Sequence, residues 1–242
     1  MNAIEILSRI KLPRNVTGAM QLMQLHAQTG HHLWCSDVIR AVHLEKFIMK
    51  FGELHVERSA PMRLYWKRRG NASVHLILLP EAVGLVRWVL MSTPGKNGLQ
   101  YHAPGAVGDL TMRGQHLQWR HYELLRLPKE WRQDERRRTD ETVTWRMQPE
   151  AYKTHEALIV DRAQQHDHRG LLTELEALRM QPLFAGVRNQ VWQLQGVAHK
   201  VWAKFNRSAA PLSLTESLPI LSRLPIYDNS PRMALEIVEA MK

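Results

Sequence analysis

The spacing of the apolar residues along this chain changes at Pro149. Before this proline the apolar residues occur in short runs of strand length, such as Leu85–Met91 and Thr142–Met147, and after it they recur every three or four residues. Phe184–Phe205 carries one continuous stripe of this helical kind. Strands followed by helices are typical of the α+β class. We therefore predict a mixed α/β domain over residues 1–148 and a helical domain over residues 149–242, with a Pro-rich connection to a short last helix.

The predicted elements of the first domain follow a known order. A strand over His31–Ile39 precedes a helix over Arg40–Leu54. Two short runs, Arg63–Arg69 and Ser73–Leu79, then flank Gly70–Asn71, a dipeptide that favours a two-residue hairpin turn. Strand, helix and hairpin in this order open the ferredoxin-like split βαβ motif, which is the frame of RNA-recognition domains. We predict a ferredoxin-like, RRM-like antiparallel sheet for this domain.

The chain is strongly basic. Its 33 lysines and arginines exceed its 23 aspartates and glutamates, which gives a formal net charge of +10. A surface of this charge attracts polyanions, and nucleic acid is the polyanion we expect because aromatic residues are interspersed with the charge. An anionic membrane surface, an acidic protein partner and charge that only serves solubility are the alternatives.

The cysteine content and the apolar runs bear on the compartment. Cys35 is the single cysteine, so the chain has no internal disulfide and no cysteine-based zinc site, as expected in a reducing compartment. The apolar runs fall short of the about 20 residues that a membrane helix needs. Met1–Arg14 lacks the pattern of a signal peptide. We expect a cytoplasmic protein without a membrane partner, and we predict neither a metal site nor a cofactor.

Three segments concentrate the basic residues. Residues 58–69 and 177–215 contain no acidic residue, whereas residues 126–146 mix both signs of charge. A basic element with aromatic side chains can neutralise phosphates and stack bases. A charged edge strand, a solvated helix face and a solvated loop are the respective alternatives. The residues that we predict to contact nucleic acid are Arg63, Tyr65, Trp66, Lys67, Arg68, Arg69, Arg136, Arg137, Arg138, Arg188, Lys200, Lys204 and Arg207.

Histidines and an arginine flank the first predicted strand. His31 and His32 begin it, and Arg40 and His43 begin the helix after it. Histidine can take the proton of a 2′-hydroxyl, and arginine can hold the phosphate through two hydrogen bonds. These four residues are therefore candidates for metal-free cleavage of RNA. Histidines that cap or pack at the start of a strand are the alternative.

The chain resembles the CRISPR repeat-processing endoribonucleases in several features. These are the βαββ order, the histidines and arginine near the first helix, the basic hairpin and the helical extension. Among these endoribonucleases the chain is most similar to the type IV form, which plasmids carry. The resemblance implies a ferredoxin-like RNA-binding fold, metal-independent cutting of a repeat hairpin, and retention of the guide RNA in a complex with other subunits. It implies catalytic roles for His31, His32, Arg40 and His43, and RNA contacts for Arg63, Lys67, Arg68 and Arg69.

Three further segments resemble parts of uncharacterised proteins of plasmids and integrative elements. They are Gly30–Trp34, Val143–Met147 and Ala185–Gln190. This resemblance implies a mobile-element setting and no particular activity. A second hypothesis is therefore a non-catalytic DNA-binding accessory protein of a plasmid or integrative conjugative element, whose helix Phe184–Phe205 enters a duplex groove. A third is a structural subunit whose basic face contacts an acidic protein.

Overall fold

A computed structural model describes residues 2–51, 54, 59–82, 84–102, 107–128, 141–207, 212, 218 and 225–240. The helices are α1 (Ala3–Leu7), α2 (Val16–Gln28), α3 (Leu44–Lys50), α4 (Ala60–Arg68), α5 (Leu99–His102), α6 (Pro149–Gln164), α7 (His168–Arg179), α8 (Ala185–Phe205) and α9 (Leu235–Glu239), with a 3-10 turn at Ala41–His43. The strands are β1 (Leu33–Arg40), β2 (Val74–Pro80), β3 (Leu85–Ser92), β4 (Gly108–Asp109), β5 (Leu117–Trp119), β6 (Tyr122–Pro128) and β7 (Glu141–Met147).

The first four strands form an antiparallel sheet in the order β2-β3-β1-β4. β1 pairs with β3 along its whole length, from Leu33 opposite Ser92 to Arg40 opposite Leu85, and its other edge pairs with β4. Because β3 lies between β1 and β2, the chain crosses the sheet through α3 and α4, and again through α5 before β4. This is the strand order of the ferredoxin-like split βαβ sheet, so the predicted fold class is confirmed.

The predicted hairpin around Gly70–Asn71 is wrong. The run that we assigned to its first strand belongs to helix α4, and the hairpin of the sheet joins β2 to β3 after Pro80. Gly70 has a φ of +77° and ends the helix, because its N–H and that of Asn71 bond back to carbonyls of the last helical turn. Pro61, in the first turn, fits a helix start. A glycine suits a helix end and a hairpin turn equally well.

Helices lie on both faces of this sheet. One face packs into an apolar core with residues of α1, α3 and α9, to which the strands contribute Cys35, Val74, Leu78, Val86 and Leu90. On the other face α2 packs against β2 and β3. Because successive strand residues point to opposite faces, His75 and Ile77 lie on the side of α2.

Strands β5, β6 and β7 form a second sheet in that order. The segment Leu117–Leu127 has the length of a single strand, but the chain turns at Arg120, which has a φ of +55°, and β5 and β6 are separate strands. Helices α6, α7 and α8 then pack on one another. As predicted, α8 buries an apolar stripe, formed by Val187, Val191, Leu194 and Ala198 and continued by Trp202.

The chain divides into two compact units. One comprises residues 1–117, 126–143 and 224–242, and the other comprises residues 118–125 and 144–223. Helix α9 therefore clusters with the first sheet, and helices α6, α7 and α8 belong to the second unit. Within the described ranges, each helix is too short or too polar to cross a lipid bilayer.

Candidate functional site

Three histidines from different parts of the first unit meet beside the sheet. His26 lies on α2, His31 follows α2 just before β1, and His75 lies on β2. One ring nitrogen from each residue lies within 4.8 Å of one from each of the other two, the one such group found among the described residues. The rings of His26 and His75 are stacked with centroids 3.8 Å apart, and His31 meets both rings edge-on, at 5.3 and 4.7 Å. We call these three residues the histidine cluster.

The end of α2 brings His31 to His26. The helix stops at Gln28, and Gly30 takes a left-handed φ of +96°, which turns the chain back. The backbone N–H of His31 then donates to the carbonyl of His26 at 3.0 Å. The two imidazoles are thus held together by a helix-capping turn.

Hydrogen bonds fix the ring of His31, which is only 6% exposed. Its Nδ1 lies 3.1 Å from the carbonyl oxygen of His26 and 3.2 Å from the hydroxyl of Thr29, and its Nε2 lies 3.1 Å from the buried hydroxyl of Ser73. Because a carbonyl can only accept, Nδ1 carries the proton and donates to it. Nε2 therefore presents its lone pair, which accepts the hydrogen bond of Ser73.

All three imidazoles are neutral near pH 7. Burial is the main cause, and it lowers the pKa of His26 to about 3, that of His31 to about 4 and that of His75 to about 2. The charge of Arg63 lowers all three pKa values further, and repulsion from neighbouring rings of the cluster lowers those of His26 and His75. The hydrogen bond to the backbone of His26 acts in the opposite direction and raises the pKa of His31. Such weak bases are poorly matched to proton transfer near pH 7. Neutral imidazole is, however, the form that binds metal ions.

Helix α4 adjoins the cluster and presents the basic segment that we predicted to bind nucleic acid. No residue of this helix is fully buried, and Tyr65 is 47% exposed. The guanidinium carbon of Arg69 lies 4.4 Å from the centroid of the Tyr65 ring, and the Trp66 ring meets that of Tyr65 edge-on at 6.1 Å. The α4 surface, as we call it, consists of Arg63, Tyr65, Trp66, Lys67, Arg68 and Arg69.

Arg63 and Lys67 connect the α4 surface to the histidine cluster. The charge of Arg63 lowers the pKa of all three histidines, and that of Lys67 lowers the pKa of His31. Arg63 is half-buried, and burial lowers the pKa of its guanidinium while Tyr227 raises it. The two cations are thus close enough to the cluster for their charge to act on its histidines.

The four residues that we predicted to be catalytic do not come together. His31 is in the cluster and His32 is next to it, but Arg40 and His43 lie at the opposite end of β1. Eight residues of extended strand separate the two ends, which corresponds to a distance of about 20 Å. Because of this distance, Arg40 and His43, which are both exposed, do not form one site with His31.

The remaining predicted contacts lie on α8, just after it, or outside the described residues. Arg188, Lys200 and Lys204 lie away from the buried stripe of α8, as does Trp192, which is 68% exposed. Arg207 is exposed and follows the end of the helix. Arg136, Arg137 and Arg138 lie outside the residues that the structure describes.

Sequence reasoning missed His26 and His75. A signal for His26 is present in the sequence, because a glycine such as Gly30 often ends a helix and folds the next residue back onto the last turn. His75 gives no comparable signal, since its contact with α2 depends on how the helix packs on the sheet.

Comparison with protein-family models, with curated proteins and with solved structures finds no match for this chain.

Proposed function

We propose that this chain binds structured RNA and that the α4 surface makes the central contact. The observation that carries the proposal is the composition of an exposed helix. Within two turns it presents four basic side chains and two aromatic rings, with the guanidinium of Arg69 lying against the ring of Tyr65. No acidic residue interrupts the segment.

The two kinds of side chain match the two parts of a nucleic acid. Exposed Lys67 and Arg68 can neutralise backbone phosphates. Tyr65 and the guanidinium plane of Arg69 offer flat faces on which unpaired bases stack, with a contribution of about 1–3 kcal/mol for each base. The net charge of +10 would speed the encounter with a polyanion.

RNA is favoured over DNA by the fold and by the resemblance to the CRISPR repeat-processing endoribonucleases. The ferredoxin-like strand order is the frame of RNA-recognition domains, which stack bases on an open sheet face. In this chain α2 packs on β2 and β3, so those strands do not offer an open face. We therefore place the RNA on α4 instead of on the sheet.

The same proposal has four further parts. The chain cleaves the RNA, the RNA is a CRISPR repeat hairpin, the chain stays bound to the RNA together with other subunits, and it acts in the cytoplasm. Among the predicted catalytic residues, His31 is the one that lies in the histidine cluster beside the α4 surface. Cleavage would proceed in EDTA, and its proton transfers would need groups other than the buried His31, whose pKa of about 4 is poorly matched to pH 7. A DNA-binding accessory protein remains the competing function.

Fluorescence anisotropy of the full chain tests the proposal. The ligands are a labelled RNA hairpin, an unstructured RNA of the same length, a DNA duplex and anionic lipid vesicles, each between about 50 and 200 mM salt. The test variant is Lys67→Gln/Arg68→Gln. The control is Arg113→Gln/Lys153→Gln, which removes the same charge from exposed positions elsewhere. Gel analysis of the bound RNA with EDTA and with Mg²⁺ reports cleavage.

We expect the hairpin to bind best and the test variant to bind it more weakly. The slope of log affinity against log salt should be shallower for the test variant than for the unmodified chain by about 1–2. The control should bind as the unmodified chain does. Preference for duplex DNA would move the assignment to the accessory protein, and preference for vesicles would move it to a membrane surface. Equal loss in both variants would show that only net charge matters.

A further inference from the structure

The histidine cluster has the composition of a metal site. Three imidazoles from two secondary-structure elements and a turn converge, and one nitrogen of each ring lies within 4.8 Å of one nitrogen of each other ring. We propose that His26, His31 and His75 together bind one divalent first-row transition-metal ion of the zinc, nickel or copper class, which imidazole suits. This proposal rests on the cluster alone and is independent of RNA binding.

His31 is already arranged as metal-binding histidines are. Its Nδ1–H donates to the backbone carbonyl of His26, which fixes the tautomer and the ring plane. A ligating histidine commonly donates its second ring N–H to a carbonyl or carboxylate in this way. Its Nε2 lone pair now accepts from Ser73, and this hydroxyl would give way to the ion.

Small movements would complete the geometry. Imidazole nitrogens bind zinc at about 2.0–2.1 Å, so two of them on one tetrahedral ion are about 3.3 Å apart. The nitrogens would therefore have to come closer by at most about 1.5 Å. His26 and His75 are half-buried, and the hydrogen bonds to His26 and Ser73 fix His31. His31 would be the fixed ligand to which the other two adjust.

The surrounding charge predicts what kind of metal site this is. The three ligands are neutral, so the bound ion keeps its double positive charge, and Arg63 and Lys67 oppose that charge. Both cations favour an anion as the fourth ligand, such as hydroxide, chloride or phosphate. Three protein ligands and one exchangeable ligand are the pattern of an open site, in contrast to the closed four-ligand sites that serve structure. We expect a dissociation constant on the order of micromolar for zinc.

Titration of the full chain with Co²⁺ and Zn²⁺, after treatment with EDTA and desalting, tests this proposal. The test variant His75→Phe keeps an aromatic ring in the stack but removes a ligand, and His26→Gln removes another. His43→Gln is the matched control, because His43 is exposed and far from the cluster. The control matters because the chain has 13 histidines that can bind metal weakly.

We expect one ion per chain, visible absorption bands of Co²⁺ in a site of low coordination number, and a rise in melting temperature with Zn²⁺. His75→Phe and His26→Gln should weaken binding at least tenfold, and His43→Gln should not. Electron paramagnetic resonance of Cu²⁺ on the unmodified chain requires no variant, and coupling to three imidazole nitrogens is the expected result. Binding that is equal in all variants, or Cu²⁺ bound by a single imidazole, would overturn the proposal.

Discussion

His26 and His75 lie face to face, with ring centroids 3.8 Å apart and ring planes 24° from parallel. One residue belongs to α2 and the other to β2, so this stack is part of the contact between the helix and the sheet. Two imidazolium cations would repel each other at this distance. The stack therefore disfavours a charge on both rings at once, which agrees with the lowering of their pKa values to about 3 and about 2, mainly by burial.

Replacement of His31 by alanine should destabilise the fold. The imidazole joins the end of α2 to Ser73, and its loss would leave a buried hydroxyl and a buried carbonyl with fewer partners. We expect a loss of about 2 kcal/mol in the free energy of unfolding. The change is measured by urea unfolding followed by circular dichroism.

His43→Ala is the control for this variant. His43 is an exposed histidine on the 3-10 turn, so its removal should change the free energy of unfolding by less than about 0.5 kcal/mol. Equal midpoints for the two variants would mean that the hydrogen bonds of His31 contribute nothing to stability.

Much of the fold is predictable because the residues that face a core are apolar, and their spacing in the sequence follows the repeat of the helix or strand that carries them. β2 and β3 are apolar runs and α8 has a buried stripe. The sheet has the predicted ferredoxin-like strand order, but its hairpin joins β2 to β3 instead of the two runs that we had paired. Helix α4 was mistaken for a strand for the opposite reason. None of its residues is buried, so no apolar stripe reveals its helical period, and the alternation of basic and aromatic residues resembled a strand.

The site was less predictable than the fold. His31 was identified from its place before the first strand, but its partners come from a helix and from a strand two positions away in the sheet. Arg40 and His43 were grouped with it because they are near in sequence. An extended strand separates such neighbours by about 3.3 Å per residue, so nearness in sequence becomes distance in space.

Gly186→Ala should be destabilising although alanine is the better helix former. A Cβ at Gly186 would lie 2.4 Å from the carbonyl oxygen of Trp145, which belongs to the backbone of β7 and cannot move without disturbing the strand. We expect a loss of about 2 kcal/mol in the free energy of unfolding.

Gly196, on the same helix, has no neighbour within 4 Å of such a Cβ. Gly196→Ala should therefore stabilise the chain by about 0.5–1 kcal/mol, and a gain in both variants would contradict the close approach of α8 to β7.

Cys35 should resist thiol reagents in the native state. Burial raises the pKa of its thiol to about 12, against which the charge of Lys50 acts only partly. The thiolate is the reactive form, so a disulfide reagent at pH 8 should label the chain only after urea is added. The unfolded thiol ionises near its ordinary pKa of 9.0, so this group's contribution to stability is complete below that pH and declines as the pH rises towards 12. Rapid labelling of the native chain at pH 8 would show that the thiol is accessible.

Tyr65→Leu should weaken RNA binding without changing its salt dependence. Leucine keeps the apolar bulk and the helix propensity but removes the ring on which Arg69 lies and on which a base would stack. Loss of one stacked base costs about 1–3 kcal/mol, so we expect affinity to fall about tenfold. Because tyrosine carries no charge, the number of neutralised phosphates, and with it the slope of log affinity against log salt, should stay the same.

Tyr101→Leu removes a tyrosine that is 67% exposed on α5 and should bind RNA normally. A fall in affinity together with a shallower slope would mean that Tyr65 acts by positioning the neighbouring cations, whereas an unchanged affinity would remove base stacking from the proposed function of α4.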